Sequence, residues 1–212
     1  MVLDTQRENV DPLITRIAKH FTFIHPNVLS FLSLIFAIVA GLFFYFSDPK
    51  TELNSYFLYF AAIFVFLNGF FDAIDGKVAK LTKNTSEKGD FIDHAIDRYA
   101  DVFMVGGLAL SKWCDLRIGF LAIVGMLLTS YMGTQSQAIG HNREYSGLLG
   151  RADRLVLLMV FPVIQQISLH YNVGEVYGFY LLCWVLVYFA IVGNITAVQR
   201  AYSTMKWFKN KK

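Results

Sequence analysis

Apolar runs long enough to cross a lipid bilayer limit this chain more than any other feature. A helix needs about 20 residues to traverse the ~30 Å hydrocarbon core. Uncharged runs extend from Leu29 to Ser47, Ser55 to Phe71, Ile118 to Gly140, Leu155 to Leu169 and Val176 to Gln199. A further apolar run, from about Phe91 to Ser111, carries Asp93, Asp97, Arg98 and Asp101. It counts as a span because its second half, VFMVGGLAL, is too apolar to stand in water uncovered. Charged residues are only 17% of the chain, against about 25% in soluble domains. Disordered chains and small disulfide scaffolds are excluded. A basic nucleic-acid-binding domain is disfavoured, and no nucleic-acid partner is expected. Cys114 and Cys183 form no metal or disulfide pattern and read as packing residues.

The expected fold is an all-α integral membrane protein, with six transmembrane helices and an N-terminal amphipathic surface helix. Residues 1–25 form the juxtamembrane segment and 26–212 the transmembrane domain. Val10, Leu13, Ile14, Ile17 and Phe21 recur at helical spacing. Asp11–Pro12 reads as the helix start, and Pro26 ends the segment before the first span. No signal peptide is visible. An even number of spans puts both termini on one side. That side collects 16 of the 19 Lys and Arg, leaving Lys50, Lys112 and Arg117 opposite. The positive-inside rule then places the termini, the loop from the second to the third span and the loop from the fourth to the fifth in the cytoplasm.

The stretch Asp72–Asp101 carries the chemistry. Asp72 and Asp75 are three apart, and Asp93 and Asp97 four apart, so each pair shares a helix face. A turn between the two helices would bring four carboxylates together near the membrane edge. An Asp at mid-membrane costs about 2.5–3.5 kcal/mol, and bound cations relieve that cost. Carboxylate oxygens without a His or Cys pair at ligand spacing favour Mg²⁺, Mn²⁺ or Ca²⁺. Four can hold two divalent ions a few ångströms apart, an arrangement suited to phosphate or pyrophosphate chemistry. Gly76 and Gly89 allow close approach of a ligand. Asp101 continues the four-residue spacing and serves either the site or helix packing. His94 is turned about 100° from Asp93 and reads as a packing or interfacial residue. The lysines of the intervening stretch, Lys77, Lys80, Lys83 and Lys88, could hold an anion but read first as solvated loop charges.

These residues resemble the CDP-alcohol phosphotransferase family, whose motif is D-x2-D-G-x2-A-R-x8-G-x3-D-x3-D. Here the motif falls on Asp72, Asp75, Gly76, Ala79, Lys80, Gly89, Asp93 and Asp97. All spacings agree, and seven of the eight residue types are identical. Lys80 stands where the family usually has Arg, keeping the charge but not the bidentate fork. The resemblance extends to the topology, including Pro26–Asn27 before the first span. It implies a membrane enzyme of phospholipid biosynthesis that moves the phosphatidyl-type group of a CDP-linked lipid to an alcohol, releasing CMP. It further implies two divalent ions, Mg²⁺ or Mn²⁺, on Asp72, Asp75, Asp93 and Asp97. Asp97 would also take the proton from the attacking hydroxyl. Gly76, Ala79, Lys80 and Gly89, with Asn27 and Asn68, would line the donor site. A homodimer is implied as well.

The acceptor is read from charge. Arg151 and Arg154 share one face where the fifth span begins, and Arg200 lies near the end of the sixth. Three guanidinium groups beside the carboxylates suit a phosphate dianion. Free inositol or serine would not require them. Arg143 reads equally as a loop charge. The G-R-x-D-R stretch resembles the branch that uses inositol 1-phosphate; glycerol 3-phosphate satisfies the same charge argument. Intramembrane carboxylates also mark cation pathways, so a cation transporter stands as the reading from another class. A metal-stabilised structural turn is a third, but it leaves the glycine and alanine spacing unexplained.

Overall fold

A computed structural model of the chain describes residues 7–51, 55–142 and 144–210. Seven α-helices occur among them: α1 (Arg7–Ala18), α2 (Pro26–Phe46), α3 (Phe57–Leu81), α4 (Glu87–Ala109), α5 (Leu116–Ala138), α6 (Arg151–His170) and α7 (Leu181–Asn210). A 3₁₀ turn, Lys19–Phe21, follows α1. A two-stranded hairpin, β1 (Glu175–Val176) and β2 (Phe179–Tyr180), precedes α7. Helices α2, α3, α5, α6 and α7 are long and apolar enough to cross a membrane. Helix α4 is of similar length but carries charges along its first half.

The interior is apolar and so is much of the outside. Phe44, Leu58, Met104, Trp113, Met126 and Phe189 are buried in one continuous core. Phe31, Ile63, Phe66, Leu121 and Ile191 are more than half exposed, a pattern that suits lipid rather than water. Helix α2 packs on α3 and α4, α5 packs on α7, and α3 packs on α6. Two glycines set the α2–α4 distance. A Cβ on Gly107 would lie 2.1 Å from the Gly41 carbonyl oxygen, and one on Gly41 would lie 2.3 Å from that of Phe103. Only hydrogen fits at either position. Gly106 faces open space.

Several expectations change. Pro12 lies inside α1, which starts at Arg7 and not at Asp11. Residues 1–6 and the side chains of residues 7–10, Val10 included, lie outside the described residues. Ile14, Ile17 and Phe21 pack with Ala18, Leu29, Ile74 and Val78, so much of the apolar face of α1 covers the end of α3. Leu13 is exposed. The last span begins at Leu181 rather than Val176 because Tyr177 and Gly178 take positive φ, 53° and 76°, and turn the chain into the hairpin. Cys114 and Cys183 are not separate packing residues. They form a disulfide between the α4–α5 connection and the start of α7. Their sequence separation of 69 left nothing local to read.

Candidate active site

The turn between α3 and α4 builds the site. Helix α3 ends in a Schellman motif: Asn84 N donates to the Ala79 carbonyl at 2.9 Å, with Lys83 at φ 56°. Helix α4 then starts under the Ser86 cap, whose Oγ accepts from Gly89 N at 3.0 Å. The tight reversal lays the face bearing Asp72 and Asp75 against the face bearing Asp93 and Asp97. Carboxylate oxygens of Asp72, Asp75 and Asp93 lie within 4.8 Å of one another. Asp93, His94 and Asp97 form a second such group, sharing Asp93 with the first. His94 therefore does not point away from Asp93 as its helical offset implied. Its Nδ1 is 3.6 Å from Asp93 Oδ2, because the side chain swings back along the helix.

The carboxylates are held by neighbours from three helices, α2, α4 and α6. Ser30 Oγ on α2 donates to Asp75 Oδ2 at 2.5 Å. Arg151, the first residue of α6, places Nη1 2.6 Å from Asp72 Oδ2 and 2.7 Å from Asp97 Oδ1. Arg98 Nη2 donates to Asp97 Oδ2 at 3.2 Å. Asp101, buried, lies 3.0 Å from Arg154 Nη2, with Arg151 and Arg98 at 3.8 and 3.9 Å. Asp101 therefore pairs with arginines and is not a helix-packing hydrogen bond alone. Ser30 and Arg98 were missed by sequence reasoning. Ser30 has no motif, and Arg98 read only as a charge on the positive side.

The other candidate residues fall in three places. Around the carboxylates, a Cβ on Gly76 would meet nothing within 4 Å, which leaves room for a ligand. Asn27 Oδ1 is 3.9 Å from the corresponding point at Gly89, so Asn27 and Gly89 adjoin. Ala79 and Lys80 follow on the last turn of α3, with Lys80 exposed. Asn68 is fully buried one turn before Asp72 and donates to the Ser33 carbonyl at 3.0 Å. It ties α3 to α2. Lys77 is paired with Asp11 of α1 and is not a free loop charge.

Arg200 docks on backbone carbonyls of α5 and the loop that follows it. Its Nη1 donates to the Thr129 carbonyl at 2.7 Å and its Nε to the Ser146 carbonyl at 2.9 Å. Arg154 Nη1 reaches the Met126 carbonyl at 3.4 Å. Both arginines thus dock on α5, one turn apart. A cavity of about 310 Å³ opens between α4 and α5, lined by His94, Arg98, Leu127, Ser130, Tyr131 and Thr134. Arg143 lies outside the described residues.

The sequence pattern of CDP-alcohol phosphatidyltransferases matches residues 23–193. The chain belongs to that family. It is a CDP-alcohol phosphatidyltransferase, an enzyme of phospholipid biosynthesis that releases CMP, and a multi-pass membrane protein. Among its relatives is an archaetidylinositol phosphate synthase of Pyrococcus horikoshii, 26% identical over 97% of both chains. A phosphatidylinositol phosphate synthase of Streptomyces avermitilis is 29% identical over 86% of this chain and 73% of its own. The fold is that of Mycobacterium tuberculosis phosphatidylinositol phosphate synthase. The crystal structure of that protein with CDP-DAG bound superposes with a TM-score of 0.68 at 20% identity, covering 91% of this chain and 94% of the other. Its complex with manganese and citrate gives a TM-score of 0.66 over 91% and 88%. The Asp72–Asp97 motif of this phosphatidyltransferase sits on the α3–α4 reversal just described.

Proposed function

We propose that this phosphatidyltransferase uses inositol 1-phosphate as its acceptor, and that the four motif carboxylates work with two divalent ions, Mg²⁺ or Mn²⁺. The observation that carries the acceptor is the placement of Arg154 and Arg200. Both are anchored on carbonyls of α5, the helix that also lines the cavity containing His94 and Arg98 of the carboxylate-bearing α4. Anchored guanidiniums hold a phosphate at low entropic cost. The relatives named as inositol phosphate synthases point the same way. The carboxylate geometry fits hard cations: two overlapping groups share Asp93, all oxygens but for His94. Asp72, Asp75 and Asp93 would hold one ion, and Asp97 would join Asp93 at the second. Bound there, the ions would supply charge neutralisation to the pyrophosphate of the donor.

The chain's own residues do the rest. Gly76 and Gly89, with Ala79, Lys80 and Asn27, bind the cytidine diphosphate end of the donor on the α3–α4 reversal. Asn68 braces that reversal through α2. Arg151, Arg154 and Arg200 orient the acceptor phosphate, and Asp97 takes the proton of the attacking hydroxyl. Arg151 contacts both Asp72 and Asp97, so it links acceptor binding to the acids. Helix α4 is read as a span as well, the third of six in chain order, with its charged half at the membrane edge. The fold thus divides into residues 1–25 on the membrane surface and a six-span domain, 26–212. Both termini and the site face the cytoplasm, and the enzyme works as a homodimer in contact with membrane lipids.

CMP release by the purified enzyme tests this, with ester- and ether-linked CDP-lipid donors and four acceptors. Release is expected with inositol 1-phosphate, abolished by chelation, restored by Mg²⁺ or Mn²⁺ and lost in Asp97→Asn. Preferred release with glycerol 3-phosphate would move the assignment to that acceptor. Release with serine or free inositol would remove the phosphate-binding role of the arginines.

A further inference from the structure

One face of the C-terminal end of α7 is stitched to the loop that leads into α6. Thr196, Arg200, Ser203 and Trp207 recur every three or four residues, hence on a single helix face. Each meets the 139–150 loop. Leu149 N donates to Thr196 Oγ1 at 3.3 Å. Arg200 Nε donates to the Ser146 carbonyl. Ser203 Oγ donates to Glu144 Oε2 at 2.7 Å. The Trp207 ring stacks on His141, with centroids 4.6 Å apart and planes at 19°. The loop is close against the helix. Gly147 has φ +116°, and a Cβ there would lie 2.3 Å from Thr196 Cγ2.

Glu144 is the centre of this seam. One carboxylate oxygen accepts from Ser203 on α7, and the other accepts from Ser146 N in its own loop at 2.9 Å. Burial pushes its carboxyl up, but the hydrogen bonds from Ser203 and Ser146 outweigh it and hold its pKa below the ordinary value. The loop ends at Gly150, and the next residue is Arg151. The path of the loop therefore sets where Arg151 and Arg154 enter the site.

We propose that Glu144 and Ser203 are positioning residues for the acceptor. Through them the end of α7 holds the α5–α6 loop in the register that delivers Arg151 and Arg154 to the carboxylates. This rests on the acceptor reading above. The donor-side residues lie on α2, α3 and α4, away from the seam, so the effect is selective for the acceptor. A shifted guanidinium weakens phosphate binding without touching the donor.

The test compares Glu144→Ala, Glu144→Gln, Ser203→Ala and the double alanine variant in the full-length enzyme, with inositol 1-phosphate as acceptor. Glu144→Ala and Ser203→Ala are expected to raise the acceptor KM roughly five- to tenfold, with donor KM and kcat within about twofold. The double variant should be no worse than Glu144→Ala, which already removes the Ser203 contact. Glu144→Gln should restore the acceptor KM. Its amide oxygen still accepts from Ser146 N, and its amide nitrogen donates to Ser203 Oγ. Equal impairment by Ala and Gln, an equal rise in donor KM, or no effect of Glu144→Ala would overturn the proposal. If the wild-type enzyme uses no phosphorylated acceptor, the acceptor reading fails separately. Amide exchange then judges the seam: residues 144–150 should exchange at least about tenfold faster in both alanine variants and not in Glu144→Gln. Unchanged exchange in the alanine variants would overturn the seam itself.

Discussion

Asp101 shows how a single buried charge is tied into the site. It is 3% exposed and faces Arg154, with Arg151 and Arg98 slightly farther away. Desolvation makes such a group costly unless it stays paired. Asp101→Leu leaves the buried Arg154 without its anion, and a loss of about 3–5 kcal/mol is expected. Thermal unfolding in detergent measures it. Asp101→Leu combined with Arg154→Leu should recover most of the loss, since the unpaired charge is gone. A double variant as unstable as the single one would show that the pair itself holds the fold. From the sequence Asp101 was visible only as a continuation of the Asp97 spacing. Its partners Arg151 and Arg154 lie fifty or more residues away in the chain, on α6, and no local pattern names them.

Helix packing was legible in part. The apolar runs located the helices that cross the bilayer, because a length of apolar chain is a local property. The helix-to-helix distances were not legible. Gly106 and Gly107 are adjacent in sequence, yet Gly107 meets the backbone of α2 and Gly106 faces open space. Gly107→Ala is expected to push α4 off α2 and lose about 1–3 kcal/mol, since the contacted atoms are backbone and cannot rotate away. Gly106→Ala should leave the melting temperature unchanged within error. Equal effects of the two substitutions would show that the α2–α4 contact is looser than described. The disulfide joins positions 69 apart, whereas the hairpin before α7 is local and lies in a largely apolar stretch, which reads as span when taken alone.

The molecule as a whole carries opposite markers at its two ends. The carboxylates sit at the α3–α4 reversal, and the Cys114–Cys183 disulfide sits at the far end of α4, beside the start of α7. The far end also holds Lys112 and Arg117, two of the few cations expected outside the cytoplasm. Oxidising compartments keep disulfides, and the cytoplasm reduces them. If the carboxylates face the cytoplasm as proposed, the disulfide faces outward. In right-side-out vesicles a membrane-impermeant phosphine should therefore open it and permit maleimide labelling of Cys114 and Cys183. Inverted vesicles should remain unlabelled until detergent is added. Labelling only of inverted vesicles would reverse the orientation.

The order of the residues alone determined the helix lengths, the asymmetry of positive charge and the spacing of the four motif carboxylates. Each is set by near neighbours along the chain, through helical periodicity or the thickness of a bilayer. Only the tertiary structure decided which arginine meets which carboxylate. Arg151 joins Asp72 to Asp97, Arg154 takes Asp101, and Arg200 turns to backbone carbonyls of α5 and its loop. In sequence all three are cations near helix ends. What separates them is the direction each side chain takes once five other helices have packed around it, and that direction comes from contacts far apart in the chain.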